Sequence, residues 1–331
     1  MFNLAFSVGD YLTRMAFVLR TGLDAPYLLH QLLAFSARHL AYLHPRKSVE
    51  YLHLATSLQM RAVSLFNAKA LTQNGTSGSA AAAAVVDGSN CVAVLVFSSV
   101  LGNHLLADVL APPRASHQGQ GQPQGQGQGQ RERRGQRQRP ISEEQNQEEE
   151  AETLDGFLAR YVQAIEMNRG VVVVSTASWP LLMTTEVGPT IAASAAFTMR
   201  EPKGDHCQGL PELVDGAVGL TDAEREACRR AVRHLQVGFD TVEEHKDQKD
   251  AYCHQMIFVW TMMAPPELSA LLMAKRPEVL VLLGYYALLL YHGRNMWQVG
   301  DAGRYILGLI VDHLGREWYP WLKYPREEMG V

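Results

Sequence analysis

Apolar residues recur at helical spacing along most of the chain. From Tyr27 to Leu43, the residues Leu29, Leu33, Ser36, Leu40 and Leu43 fall on one stripe, which Leu32 and Phe35 widen. Pro45 stops that helix, because proline lacks the N–H a helix interior needs. The next helix is predicted from Arg46 to Phe66, with Tyr51, Ala55, Leu58, Ala62 and Leu65 on a shared face and Glu50, Gln59 and Arg61 elsewhere. So short a turn predicts antiparallel packing of the pair. Thr221 to Glu243 is the best-delimited helix: Thr221 and Glu224 have the spacing of a capping box. Within it Cys228, Val232, Leu235, Phe239 and Val242 recur in steps of four and three. Further helices are predicted over Asp250–Met263, Pro266–Ala274, Pro277–Tyr291 and Met296–Gly315. Val171 to Val174 is a run of valines with β-propensity but no partner strand, so it reads as an extended link or a buried helical turn. The pattern as a whole predicts an all-α protein.

The helical pattern breaks between Ala111 and Thr153 (APPRASHQGQGQPQGQGQGQRERRGQRQRPISEEQNQEEEAET). This stretch has almost nothing apolar to offset the entropy of ordering its backbone, and disorder is expected. Residues 1–110 and 154–331 then form the two parts of one helical regulatory domain, interrupted by a disordered insert at 111–153. The basic run Arg131 to Arg139 reads either as a nuclear-import signal or as part of a solvated polyampholyte. Gln73 to Ser79 reads as a shorter flexible piece.

Composition narrows the function classes. Hydrophobic residues make up 47% and charged residues 19%, which suits a globular, water-soluble protein with a sizeable core. The net charge of −4 and the absence of a basic stripe in the helical parts argue against a nucleic-acid-binding surface. The longest apolar run, Val279 to Tyr291, would span roughly 20 Å as a helix against a bilayer core of about 30 Å, and so predicts a core helix and no membrane span. Met1 to Arg20 is interrupted by Asp10 and Arg14 and does not read as a signal peptide. The four cysteines, Cys91, Cys207, Cys228 and Cys253, lack the close pairing of a zinc site and predict buried free thiols.

Enzymatic signatures are missing: there is no Gly-rich phosphate loop, G-x-S-x-G elbow or H-E-x-x-H pair, so no enzyme, metal or cofactor is expected. Asp240, Glu243, Glu244 and Asp247 cluster near a helix end, where His245 and Lys246 make a solvated, self-neutralising terminus the expected role. The histidines, among them His30, His39, His44 and His53, have no nucleophile at a recognisable spacing and read as structural. The last third is rich in methionine and aromatic residues. Met256, Trp260, Tyr285, Leu289, Met296 and Trp297 are the candidate lining of a pocket for a flat apolar ligand, with ordinary core packing as the alternative.

Several segments resemble a known family. YLLHQLLAFSARHLAYLHPRKSVEYLHLATSLQMRAVSLFN from Tyr27, NCVAVLVFSSVLGNHLLAD from Asn90 and FLARYVQAIEMNRGVVVVSTASW from Phe157 resemble the regulatory domain of fungal-specific, zinc-cluster transcription factors. The closing segment from Pro265 to Pro325 resembles the sterol uptake control branch, and WQVGDAGR (Trp297 to Arg304) is similar to a glycine-containing turn of that branch. The resemblance implies an all-α effector domain that forms homodimers or heterodimers with zinc-cluster regulators and binds a sterol or other apolar small molecule. It also implies control of lipid or sterol genes from the nucleus, with shuttling from the cytoplasm, and Gly300 and Gly303 in a mobile lid over the ligand. Against that role, Gly300 simply ends one helix and Asp301 caps the next. The family's six-cysteine zinc cluster does not occur in this sequence, so DNA contact is expected only through partners. The alternative is a non-sensing helical module that dimerises with intact zinc-cluster factors.

Overall fold

The computed structural model describes residues 8–73, 86–111, 153–246 and 249–331. Among these there are fourteen α-helices and no strand. The 111–153 stretch lies outside the described residues save for its two end positions, and with it the basic run; so do most of the Gln73–Ser79 piece and Asp247.

In chain order the helices are α1 (Val8–Asp24), α2 (Pro26–Leu43), α3 (Ser48–Gln73), α4 (Cys91–Leu110), α5 (Leu154–Ala177), α6 (Trp179–Met183) and α7 (Gly188–Thr198). They continue with α8 (Leu210–Gly216), α9 (Asp222–Glu244), α10 (Lys249–Met263), α11 (Pro266–Met273), α12 (Pro277–His292), α13 (Ala302–Leu314) and α14 (Lys323–Met329). The capping box forms as the spacing predicts. Glu224 N–H donates to Thr221 Oγ1, and Thr221 N–H donates back to Glu224 Oε2 at 2.8 Å. The stripe Cys228, Val232, Leu235, Phe239 and Val242 is buried throughout. The four valines belong to the C-terminal half of α5, the helical turn of the two sequence alternatives.

Two predicted elements differ from the observed ones. In α2 the leucine stripe is not the core face: Leu33, Leu40 and Leu43 are 48%, 36% and 52% exposed, while Tyr27, Leu28, Gln31, Ala34, Ala37 and Ala41 are buried. The reason is close helix approach. Alanines on α2 and the buried Ala55 and Ala62 of α3 let the hairpin close tightly, and the bulkier leucines are left on the outside. The last predicted helix starts at Ala302, not Met296, because residues 293–301 form successive turns ending at Gly300, whose φ of +48° is left-handed.

Three buried clusters hold the fold, and α4 contributes to all of them. Its Val96, Phe97 and Val100 pack with α1–α3, where Tyr27 meets Phe97 edge-on at 5.3 Å. Its Leu106, Val109 and Leu110 enter the main core built by α5 and α8–α14, centred on the wholly apolar stretch Val279–Leu283 of α12. Its Cys91 and Leu95 meet Val171 and Leu182 in the smallest cluster. By length and composition α4 could cross a membrane, as could the sharply bent pair α10–α11 taken together. Both are packed within the fold, and α12 at 16 residues is shorter. All four cysteines are buried and outside any disulfide.

Candidate ligand cavity

The structure separates the sequence-predicted pocket residues. Met256, Trp260, Tyr285 and Leu289 lie in the close-packed core rather than around a space. Trp260 donates its indole N–H to Tyr161 Oη at 3.0 Å and stacks on Tyr286 at 5.3 Å, which satisfies both its polar handle and its ring. Met256 and Leu289 come together over Gly238 of α9, where an added Cβ would touch both. Met296 folds over Gly293 toward Ile257 and Cys253. Trp297 is elsewhere: it stacks on His39 at 4.8 Å and lies 5.3 Å from Phe35, joining the last third of the chain to α2. Gly303 sits at the close contact of two helices. It is buried inside α13, pressed so closely on α12 that a Cβ would stand 2.4 Å from the Ala287 carbonyl oxygen. Gly300 occupies the preceding turn, with open space where a side chain would go. Aromatic and methionine content therefore describes a seam of the core here. Met256, Trp260, Tyr285, Leu289, Met296, Trp297, Gly300 and Gly303 are absent from the described lining of the two cavities considered next.

A half-open space with a mostly apolar lining lies on the other side of α10, bounded by α4, α5, α7 and α10. It measures about 640 Å³, within the ~300–1,000 Å³ typical of small-molecule sites. Spacing explains how the walls form. On α4 the residues Leu95, Ser99 and Asn103 follow at i, i+4 and i+8, and on α10 the pairs His254–Gln255, Phe258–Val259 and Met262–Met263 repeat every four residues. Helix α7 (GPTIAASAAFT) supplies Ala192, Ala195 and Ala196, whose small side chains leave the volume unfilled. Trp179, 37% exposed at the start of α6, stands at the edge.

Among the described residues that line this cavity there is no Asp, Glu, Lys or Arg. Its polar groups form a short chain. Ser99 Oγ donates to the Leu95 carbonyl at 2.8 Å, Asn103 Nδ2 donates to the Ser99 carbonyl at 2.9 Å, and Asn103 Oδ1 faces His254 Nε2 at 3.0 Å. Because Asn103 Oδ1 can only accept, the imidazole proton sits on Nε2. Burial pushes the His254 pKa down to about 3, so the ring is neutral at physiological pH. Gln255 differs from its neighbours: both Oε1 and Nε2 are shielded from solvent, and neither has a hydrogen-bond partner among the described residues. Leaving such groups unmade costs roughly 1–3 kcal/mol each.

A second, larger depression of about 920 Å³ runs between α3, α4 and α5. It carries Asp108 and Arg160 beside Met60 and Met167, which are 63% and 48% exposed, and so has the character of a surface groove. The carboxylates near the end of α9 are engaged with neighbouring cations and amides. Asp240 accepts from Lys203 N–H, Gly204 N–H and Gln236 Nε2, Glu244 pairs with Arg200 at 3.1 Å and Lys203 at 3.0 Å, and Glu243 pairs with Lys246.

The sequence reading passed over this site because α10 is apolar on all sides, so its period does not say which face meets the core and which meets a void. The one available signal was the polar pair His254–Gln255 in the middle of that apolar helix. Comparison with protein-family models, curated proteins and solved structures gives no match for this chain.

Proposed function

We propose that this chain is the helical effector domain of a fungal transcription regulator, acting by ligand binding rather than catalysis, with a sterol or similar apolar molecule in the α4–α5–α7–α10 cavity. The observation that carries the ligand reading is a mostly apolar space of ligand size whose described lining residues include no charged side chain. The transcriptional part rests on the resemblance of the Tyr27, Asn90, Phe157 and Pro265 segments to zinc-cluster regulators. Occupancy would favour one arrangement of the cavity helices over another and so shift the population that partners, and the nuclear import machinery, encounter.

Titration of the purified chain with a sterol, followed by tryptophan emission, tests this. Trp179 borders the cavity, so a saturable change at micromolar sterol is expected, and it should disappear in Ala195→Phe, which fills the space. No saturable change, or an unaltered one in Ala195→Phe, would sink the ligand reading. The same chain fused to an unrelated DNA-binding domain should drive a reporter in a sterol-dependent way.

A specific feature favours a second reading, a dimerising module without a ligand. Leu33, Leu40 and Leu43 on α2 and Val49 and Leu54 on α3 are all exposed on one hairpin. Under that reading, changing Leu33 and Leu40 to Glu abolishes self-association or partner association, and Ala195→Phe has no effect.

A further inference from the structure

We infer that Arg294, Arg304 and Tyr291 form an exposed binding site for a phosphate monoester, the group that a phosphorylated side chain of a partner protein and a small soluble ester have in common. The three residues meet where the end of α12, the start of α13 and the end of α14 come together. Both guanidiniums lie against the Tyr291 ring, Arg294 at 4.2 Å from its centre and Arg304 at 5.0 Å, so their charges stand no further apart than those two distances together. Like charges held this close repel, and an anion beside them relieves the repulsion.

No carboxylate does so. Arg38, Arg200, Arg229, Arg233 and Arg276 each pair with an Asp or Glu. Arg294 and Arg304, both exposed, pair with none among the described residues; their partners are neutral oxygens. Arg294 Nη1 donates to the Tyr291 carbonyl at 3.1 Å. Arg304 donates from Nε to the Met329 carbonyl at 2.9 Å and from Nη2 to Tyr291 Oη at 3.1 Å. These bonds hold both forks in place and leave most of their N–H groups for another acceptor. Because the Tyr291 hydroxyl accepts from Arg304, its own proton is left for a third contact. A phosphate monoester brings three terminal oxygens and about two negative charges at pH 7, which suits two guanidiniums and a hydroxyl better than a singly charged, planar carboxylate does. The patch is separate from the proposed ligand cavity: none of the three residues is in the described lining of either space.

Fluorescence anisotropy tests this with the full chain and a tetramethylrhodamine-labelled Gly-Ala-phosphoserine-Ala-Gly peptide, the unphosphorylated peptide serving as control. Saturable binding of the phosphopeptide alone is expected. It should weaken roughly tenfold or more in Arg294→Gln and in Arg304→Gln, and several-fold in Tyr291→Phe, which keeps the ring. Arg316→Gln, at an exposed arginine outside the patch, should bind as the wild type does. Affinity should also rise between pH 5.5 and pH 7.5, across the second phosphate ionisation near pH 6. Circular dichroism checks that each variant is folded. Arg304→Lys, which keeps the charge and loses the fork, replaces Arg304→Gln if that protein unfolds, and should also bind more weakly. Competition by free O-phosphoserine separates the sources. Displacement at concentrations matching the peptide's own affinity supports a soluble ester, and a roughly tenfold higher requirement supports a phosphorylated partner segment. Binding that ignores phosphorylation, that persists in folded Arg294→Gln and Arg304 variants, or that is absent for both peptide and phosphoserine overturns the inference.

Discussion

Three glycines within nine residues give a sharp test of how the last helices are packed. At Gly303 an added Cβ would meet the Ala287 carbonyl oxygen at 2.4 Å, the Tyr291 amide nitrogen at 2.8 Å and Tyr291 Cβ at 3.0 Å. Backbone cannot swing aside as a flexible side chain does, so α13 must retreat from α12. The shortfall from an ordinary 3.4 Å contact is about 1 Å, and overpacking of this kind costs about 1–3 kcal/mol. Since Ile306, Leu307 and Ile310 on the same helix are fully buried and would move with it, the upper end, about 3 kcal/mol, is expected for Gly303→Ala. Gly300 has open space but a φ of +48°, where an L side chain is strained, so Gly300→Ala should cost about 1 kcal/mol. Gly308 lies mid-helix with nothing within 4 Å, so Gly308→Ala should stabilise by about 0.5–1 kcal/mol. Urea titration at constant pH, with equal m-values, should rank them Gly308→Ala, wild type, Gly300→Ala, Gly303→Ala from most to least stable. A Gly303→Ala protein within about 0.5 kcal/mol of wild type would refute the closed seam.

Two further outcomes follow from groups already described. Thr221→Ala removes the cap of α9 and should cost about 1 kcal/mol, with Thr221→Ser recovering most of it in the same urea assay. Acid should destabilise the chain through its buried imidazoles. Burial lowers the pKa of His104, takes His234 to about 4 and His254 to about 3, while unfolded histidine titrates near 6.5. Below that pH the unfolded chain binds more protons than the folded one. Stability is therefore full above about pH 6.5 and falls toward pH 4, by up to about 1.4 kcal/mol per pH unit for each ring. Urea midpoints measured from pH 7.5 to 5 should decline along that slope, and His234→Gln should flatten it.

Periodicity made much of this fold legible before any coordinates. The α9 helix carries its own start signal in Thr221 and Glu224 and a single apolar stripe, so register, cap and buried face all follow from the residues. Helix α2 shows where such reasoning stops. It has two usable stripes, one of leucines and one of alanines, and a rule that weighs residues by hydrophobicity picks the leucines. The packing picks the alanines, whose small side chains let α3 approach closely. The cavity was illegible for a related reason. A void is set by what neighbouring helices fail to fill, and the small residues of α7 that leave it open are remote in sequence from Gln255. Trp260, Tyr285 and Leu289 carry ligand-like chemistry, yet Trp260 is taken up by Tyr161 and Tyr286, Tyr285 by Tyr324, and Leu289 by the space over Gly238.

The sharing of α4 among three clusters has a consequence for how the molecule can respond. One row of its side chains, Leu95, Ser99 and Asn103, walls the empty volume, while Phe97 and His104 on other rows clasp Tyr27 and Gln31 of the N-terminal hairpin. A packed interior yields little under compression, so a nudge delivered to the first row is passed to the second almost undiminished. A displacement of α4 as a rigid body at Asn103 would therefore also move the contacts with Tyr27 and Gln31 that hold the hairpin.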